Sequence, residues 1–295
     1  MYDIDKYVQA ADVDDAVRAL TADPKAVIIS GGSDVLIKIR EGKLAGCSLV
    51  SIHGIRELDG VKMEEDGTVV IGPCTVFSHI TNNEIVRKHI PILGDAVDQA
   101  GGPQLRNIGT IGGNVCNGVT SADSASSLLT LNAVLKLCGP SGSRLVPLEE
   151  FYAGPGRTVR EHDEVLTEIR ITKDNYEGFG GHYIKYGKRQ AMEIATLGCA
   201  VQVKLGEEKN TVEDLRLAYG VAAPTPIRCR RTEETVKGMP LTPKLADMLA
   251  EGALKEVMPR SSWRASREFR LQLVEELARR ALAQAVCNAG GEIHA

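Results

Sequence analysis

Two glycine-rich stretches carry the residue types that could bind a phosphorylated ligand. The first, IISGGSDV at residues 28–35, runs from a β-branched segment through two glycines into a predicted helix. Glycines let backbone N–H groups converge, and a helix start adds partial positive charge, so the pair can cradle a phosphate. The stretch lacks the G-x-G-x-x-G pattern of dinucleotide-binding folds and the lysine of a Walker motif. A tight turn with a helix cap explains it as well as an anion site does.

The second stretch is TIGGN at residues 110–114, within a segment dense in glycine and asparagine between residues 101 and 123. Gly112 and Gly113 permit close approach of the backbone to a ligand, and Thr110 and Asn114 offer side-chain hydrogen bonds. An irregular, ligand-free loop is the alternative. Two such loops in one α/β domain fit a ligand with two phosphates, such as a dinucleotide.

The elements around these loops alternate between strands and helices, which favours an α/β arrangement. The pattern predicts a helix capped by Asp12 and running to Leu20, strands over 26–29, 48–52, 68–71 and 134–137, and helices over 35–40, 75–90, 92–100 and 124–131. Strands over 166–171, 182–186, 199–205 and 215–221 then suggest an antiparallel sheet. Beyond Pro226 the chain is predicted to be helical, ending in an amphipathic helix over 266–289.

Composition excludes several classes of protein. The 295 residues include 35 lysines and arginines against 39 acids, a net charge of −4, which argues against a basic nucleic-acid footprint. No apolar run reaches the roughly 18 residues of a membrane span, and the N-terminus lacks a signal peptide. The seven cysteines are widely spaced, so neither a disulfide framework nor a metal centre is expected. A reduced, cytoplasmic protein is the simplest interpretation.

Six segments, in order along nearly the whole chain, are similar to one family. They are SGGSDVLIKIREG at 30–42, GPQLRNIGTIGGNVCNGVTSADSAS at 102–126, FYAGPG at 151–156, KYGKRQAMEIATLGCA at 185–200, AYGVAAPTPIRC at 218–229 and PRSSWRASREFR at 259–270. On these segments the chain resembles the FAD-binding subunits of the xanthine dehydrogenase branch of the molybdenum hydroxylases. The wider family includes the carbon monoxide dehydrogenase flavoproteins.

The resemblance implies an α+β protein with a two-part FAD-binding fold of the vanillyl-alcohol oxidase (PCMH) type. A smaller C-terminal α/β domain, an antiparallel sheet plus helices, is expected to follow. We place the FAD-binding domain at residues 1–175 and the C-terminal domain, of the carbon monoxide dehydrogenase flavoprotein type, at 180–295. The composition shift near 175–180 marks the boundary.

The resemblance also implies the residues that hold non-covalent FAD. They are Ile28, Ile29, Ser30, Gly31, Gly32, Ser33, Asp34 and Val35 in the first loop, Thr110, Ile111, Gly112, Gly113 and Asn114 in the second, and Asp123, Leu166 and Lys185 elsewhere. Asp123 matches an aspartate that contacts the flavin, with a surface acid at a helix start as the alternative. Leu166 matches an apolar position near the isoalloxazine, where a core leucine would look identical. Lys185 matches a lysine that would stabilise negative charge on the reduced ring, with a solvated strand lysine as the alternative.

By the same resemblance, partner subunits carry molybdopterin and two [2Fe–2S] clusters. Electrons would pass from molybdenum through iron–sulfur to this FAD and then to NAD, most simply in a xanthine dehydrogenase. A dehydrogenase for another heterocycle or an aldehyde is the alternative within the class. A free-standing flavin oxidase would need a catalytic base or a covalent flavin anchor, for which only His53 or Cys116 is available; a non-enzymatic binding module is the third class. No catalytic residue is assigned, and Trp263 is expected to pack against the last helix.

Overall fold

The computed structural model describes residues 2–293, which fold into an N-terminal domain and a smaller C-terminal domain. The strands of the N-terminal domain are β1 (Ile4–Gln9), β2 (Ala26–Ile29), β3 (Cys47–Ser51), β4 (Val61–Met63), β5 (Val69–Ile71), β6 (Val134–Gly139), β7 (Gly142–Pro147), β8 (Tyr152–Gly154), β9 (Arg157–Thr158) and β10 (Val165–Ile171). Its helices are α1 (Val13–Ala22), α2 (Val35–Arg40), α3 (Phe77–Asn82), α4 (Glu84–His89), α5 (Pro91–Asp98), α6 (Pro103–Arg106), α7 (Ile111–Cys116), α8 (Asp123–Thr130) and α9 (Leu148–Phe151).

The C-terminal domain is a sheet covered by helices. Its strands are β11 (Phe179–Tyr186), β12 (Leu197–Leu205), β13 (Val212–Gly220) and β14 (Ile227–Arg228), and its helices are α10 (Arg230–Val236), α11 (Pro243–Leu254) and α12 (Arg267–Asn288). The sheet is antiparallel in the order β11-β12-β13-β14, as predicted for the strands at 182–186, 199–205 and 215–221. The strand predicted at 166–171 lies instead in the N-terminal domain, as β10. None of the helices in the described chain is both long enough and apolar enough to cross a bilayer.

The N-terminal domain has two parts, as expected, each with its own sheet. Strands β1, β3 and β2 form a small parallel sheet flanked by α1 and α2. Strands β4, β5, β10, β6 and β7 form an antiparallel sheet that packs against α3, α5 and α8. The first glycine loop leaves the carboxyl end of β2, the edge of a parallel sheet at which α/β proteins place their ligands.

Local signals account for most of these elements. Asp12 caps α1 by accepting a hydrogen bond from the Asp15 N–H at 2.8 Å, and α2 spans the predicted residues. The single helix predicted over 75–90 is wrong, because Asn83 is extended and its side chain caps a new helix, α4. Strand β1 is missed because its residues are almost all exposed and show no alternation.

The C-terminal sheet is buried on both faces. One face packs against α11 and α12, where Leu273, Leu277 and Ala281 form the apolar stripe predicted for the last helix. Phe269, the first residue predicted for that stripe, is instead 39% exposed. The other face contributes Tyr183 and Ala200 to the core of the N-terminal domain, against α5 and α8. Helix α8 therefore lies between the two domains, and every one of its residues is buried.

Two arginines of the C-terminal sheet fix the end of α8. Arg216 donates to the Thr130 carbonyl at 3.0 Å, and Arg228 donates to the Leu129 carbonyl at 3.0 Å. A buried ion pair with Glu233, at 2.6 Å, compensates the charge of Arg228. Cations at a helix C-terminus satisfy its last carbonyls and favour its dipole. The C-terminal domain thus sets the position of the helix that begins at Asp123.

Candidate functional site

A cavity of about 770 Å³ opens where the two glycine loops meet the C-terminal domain. Most of the residues predicted to hold FAD lie on its wall: Ile28, Ser30, Gly31, Gly32, Ser33, Asp34, Val35, Thr110, Gly112, Gly113, Asn114, Asp123 and Leu166. Ile29, Ile111 and Lys185, which were also predicted to hold FAD, do not line the cavity. A volume of this size is typical of cavities for cofactors and drug-sized ligands.

The first loop presents unsatisfied backbone donors. Among residues 2–293, the N–H groups of residues 31–35 donate no hydrogen bond. Gly32 has φ +73°, a conformation that a side chain would strain, and α2 begins three residues later. Successive N–H groups without internal partners at a glycine turn form the kind of site that an anion occupies. This loop fits a phosphate.

Glycine in this loop also lets the two loops touch. A Cβ atom on Gly31 would lie 2.0 Å from the carbonyl oxygen of Ile108, just before the second loop. Any side chain at position 31 would therefore push the loops apart. The close backbone contact brings residues from distant parts of the sequence onto one wall.

The second glycine stretch is not the predicted loop but the start of α7, with Thr110 as its N-cap residue. Its backbone also differs from the expectation that it faces a ligand. The Ile111 N–H donates to the Thr75 carbonyl at 3.0 Å, the Gly112 N–H donates to the Pro73 carbonyl at 2.8 Å, and the Thr110 hydroxyl accepts from the Gly113 N–H at 3.2 Å. A Cβ atom on Gly112 would lie 2.4 Å from the Pro73 Cβ. These glycines allow packing against the neighbouring segment, and the N–H groups of residues 111–114 all have partners within the described chain, which leaves this stretch as a wall of the cavity.

Side chains connect the second loop to its surroundings. The Ser124 hydroxyl donates to Asn114 Oδ1 at 2.6 Å, which leaves the Asn114 amide nitrogen as a donor on the cavity side. Lys38 donates to Asn117 Oδ1 at 2.7 Å and so links α2 to the end of α7. The first contact joins α7 to α8, and the second joins α2 to α7.

Asp123 and Lys185 form a buried ion pair at the start of α8. Lys185 Nζ lies 2.9 Å from Asp123 Oδ2, and their side chains are 8% and 10% exposed. Lys185 also donates to the Gln99 carbonyl at 2.9 Å, and the Tyr183 hydroxyl donates to Asp123 Oδ1 at 3.1 Å. Burial raises the pKa of Asp123, and the charge and hydrogen bond of Lys185 oppose that rise. The alternatives considered from the sequence, a surface acid at position 123 and a solvated lysine at position 185, are both excluded by this burial. Asp123 lines the cavity, whereas Lys185 does not line it and contacts it only through the ion pair with Asp123.

The C-terminal domain completes the cavity with residues that the sequence analysis did not assign. They are Arg189, Met192, Glu193, Ile194, Trp263 and Arg264. The expectation for Trp263 is wrong: the indole is 78% exposed at the opening and does not pack against α12. In the sequence, these residues were marked only by lying in two of the segments similar to the family, at 185–200 and 259–270. That similarity assigned no binding role to any of them.

Cys116 also lines the cavity. Burial raises the pKa of its thiol to about 11, so the thiolate is scarce near neutral pH. Covalent attachment of a flavin through this sulfur would need the thiolate. His53, the other residue considered for such a part, is exposed and lies outside the lining.

Two family descriptions match the chain. Residues 2–173 match the FAD binding domain in molybdopterin dehydrogenase, and residues 182–285 match the CO dehydrogenase flavoprotein C-terminal domain. The free N–H groups of the first loop and the volume of the cavity fit the cofactor named in the first description.

Individual relatives are similar over most of their length. The chain is 41% identical over 293 residues to a xanthine dehydrogenase FAD-binding subunit of Escherichia coli O157:H7, covering 99% of this chain and 100% of the relative. It is 32% identical over 257 residues to the carbon monoxide dehydrogenase medium chain of Hydrogenophaga pseudoflava, covering 87% and 88%.

A solved structure agrees with this similarity. The fold superposes on a chain of the Hydrogenophaga pseudoflava carbon monoxide dehydrogenase that lacks the Mo-pyranopterin moiety of its molybdenum cofactor. The TM-score is 0.91 at 31% identity, with 96% of this chain and 97% of the other covered. Two family matches and full-length relatives lead to one assignment: the chain belongs to the FAD-binding chains of the molybdopterin dehydrogenases.

Proposed function

We propose that the chain is the FAD subunit of a xanthine dehydrogenase and passes electrons from iron–sulfur clusters of a partner to NAD. The observation that carries the proposal is the 41% identity to a xanthine dehydrogenase FAD-binding subunit along the full length of both chains. The purine would be oxidised at molybdopterin on another partner. The free thiols of all seven cysteines support a reducing compartment, and we place the complex in the cytoplasm.

Each part of the cavity has a task in this proposal. FAD, when bound, supplies the two-electron chemistry. The N–H groups of residues 31–35 hold its pyrophosphate, and Leu166 offers an apolar wall to its ring. Asp123 is a hydrogen-bond acceptor at the wall, kept in place by Lys185 and Tyr183. Lys185 acts as a positioning residue in this arrangement, since Asp123 lies between it and the cavity.

The titratable groups of the cavity wall bear on the alternative of a free-standing oxidase, which would need a base beside its substrate. Among the described residues that line the cavity, the titratable groups are Asp34, Lys38, Cys116, Asp123, Glu193 and arginines. Asp123 is paired, and Glu193 accepts hydrogen bonds from the backbone of Lys188 and Arg189. No histidine lines the described wall, and Asp34, which has no side-chain partner among the described residues, is exposed. The proposal assigns substrate oxidation to another subunit.

Purification of the native assembly tests the proposal. The assembly should contain FAD, molybdenum and iron, and should reduce NAD⁺ with xanthine. Turnover with another heterocycle or with an aldehyde, and none with xanthine, would support the alternative within the family. A flavoprotein that is reduced by its own small substrate without an iron-containing partner would refute the subunit assignment.

A further inference from the structure

Helix α8 belongs to the FAD-binding domain, yet side chains of the C-terminal sheet bind it at both ends. At its start, Asp123 accepts hydrogen bonds from Lys185 and Tyr183 on β11. At its end, the carbonyls of Leu129 and Thr130 accept hydrogen bonds from arginines on β14 and β13. One sheet therefore contacts both the cavity end and the far end of this helix.

Arg216 makes the contact with the Thr130 carbonyl. Its Nη1 donates at 3.0 Å, and no other described residue donates to this oxygen. The guanidinium carbon lies 4.4 Å from the centroid of the Phe179 ring, and Nε lies 3.2 Å from Asp214 Oδ2. A cation placed between an aromatic ring and a carboxylate is a fixed donor rather than a mobile surface charge.

Arg228 makes the contact with the Leu129 carbonyl, and its side chain is only 2% exposed. Its Nε donates to Glu233 Oε1 at 2.6 Å, and its Nη1 also donates to the side chain of Asn132. Asn132 has φ +46°, a left-handed conformation that is common just after the end of a helix. The Leu217 N–H donates to the same oxygen of Glu233 at 2.9 Å. The buried ion pair thus joins the end of α8 to two strands of the C-terminal sheet.

Between its ends, α8 has few side chains that would resist movement along its axis. Residues 124–127 read Ser-Ala-Ser-Ser, and all four are buried. Small side chains form shallow ridges, which interlock less with neighbouring elements than large ones do. The hydrogen bonds at the two ends therefore have a large share in setting the axial position of the helix. A short helix moves as a unit, so a shift at its last carbonyls also shifts its first residue.

We propose that Arg216 and Arg228 are positioning residues of the flavin site, which fix α8 along its axis and so keep Asp123 at the wall of the cavity. The inference rests on the proposed function, in which Asp123 is a hydrogen-bond acceptor beside FAD. Neither arginine is among the described residues that line the cavity, and about 10 Å of helix separates their contacts from Asp123. Their effect on the cofactor is therefore transmitted by α8. A purely structural role predicts lower stability without any dependence on Asp123.

Titration of the flavin-free native assembly with FAD tests this role. The first variant, Arg228→Met with Glu233→Gln, removes the donor to α8 and both buried charges, a replacement that often preserves stability. The second is Arg216→Met, and the control is Arg231→Gln, an exposed arginine of α10 that pairs with Glu256. We expect the dissociation constant of FAD to rise about tenfold in both variants, as when one hydrogen bond to a ligand is weakened, and to stay unchanged in the control. Urea unfolding of the flavin-free full chain reports the stability of each protein separately.

A second set of titrations separates positioning from a general structural effect. The background is Asp123→Ala with Lys185→Met, which removes the acceptor at the wall together with its buried partner. Adding Arg228→Met and Glu233→Gln to this background should leave the dissociation constant of FAD unchanged, because the arginine acts through Asp123. A further tenfold rise would overturn the proposal, and so would an unchanged dissociation constant in both arginine variants that retain Asp123. Those outcomes concern the arginines alone, whereas a wild-type assembly that takes up no FAD would refute the proposed function as well.

Discussion

Replacing Lys185 with methionine removes the only cation among residues 2–293 that pairs with Asp123 and keeps most of the apolar stem. Asp123 then retains one hydrogen bond, from the Tyr183 hydroxyl, in a site where its side chain is 10% exposed. Breaking a buried ion pair by removing one partner costs about 3–5 kcal/mol. The carboxylate can instead take up a proton, at ~1.4 kcal/mol per pH unit above its ordinary pKa of 3.8. That route limits the destabilisation to about 4 kcal/mol at pH 7 and about 2 kcal/mol at pH 5.

The variant should therefore lose more stability as the pH rises. A carboxyl whose folded-state pKa lies above its unfolded value favours folding at low pH, and this contribution disappears as the pH rises through the folded-state pKa. Burial already raises the pKa of Asp123, and loss of Lys185 raises it further. The stability gap between wild type and variant should open above the wild-type pKa of Asp123 and widen until the higher pKa of the variant is passed.

Urea unfolding of the FAD-free full chain at pH 5, 6, 7 and 8 measures this gap, with FAD omitted because bound ligand adds stability. The control is the double variant Asp123→Asn with Lys185→Met, which leaves no buried charge at these two positions and should recover most of the stability at pH 7 and 8. Equal destabilisation of the single variant at all four pH values would refute the argument. So would a double variant as unstable at pH 8 as Lys185→Met alone.

Three further predictions follow from the cavity. Gly31→Ala should lower FAD content and stability, because its Cβ would lie 2.0 Å from the Ile108 carbonyl oxygen; wild-type occupancy by absorption spectroscopy would contradict the loop contact. Acid denaturation should release free FAD from the wild type and from Cys116→Ser alike, since the thiol with a pKa of about 11 is a poor anchor; flavin retained by the wild-type chain in a denaturing gel would contradict this. Cross-linking of the native assembly should join residues 101–121 to the iron–sulfur chain, because these residues lie beside the cavity; cross-links confined to other surfaces would place the interface elsewhere.

The sequence was sufficient wherever a structure depends on near neighbours in the chain. The cap at Asp12, the strand that ends in the first glycine loop and the short helix α2 all follow from local residue types, and the structure contains them. The antiparallel C-terminal sheet followed from alternating strands, and the ordered set of similar segments was sufficient to recognise the family. Local patterns failed at Asn83, where a side-chain cap divides one predicted helix into two.

Tertiary structure alone decided what the predicted site residues contact. The ion pair between Asp123 and Lys185 joins positions 62 residues apart, and its burial depends on how β11 packs against α8. The two glycine stretches look alike in sequence, yet the N–H groups of residues 31–35 donate no hydrogen bond within the described chain, whereas those of residues 111–114 all do, to Pro73, Thr75 and Thr110. The exposure of Trp263 was likewise decided by tertiary structure, because it depends on which surfaces the folded domains leave uncovered. Hydrogen-bond partners and burial arise from contacts distant in the chain, and no local pattern records them.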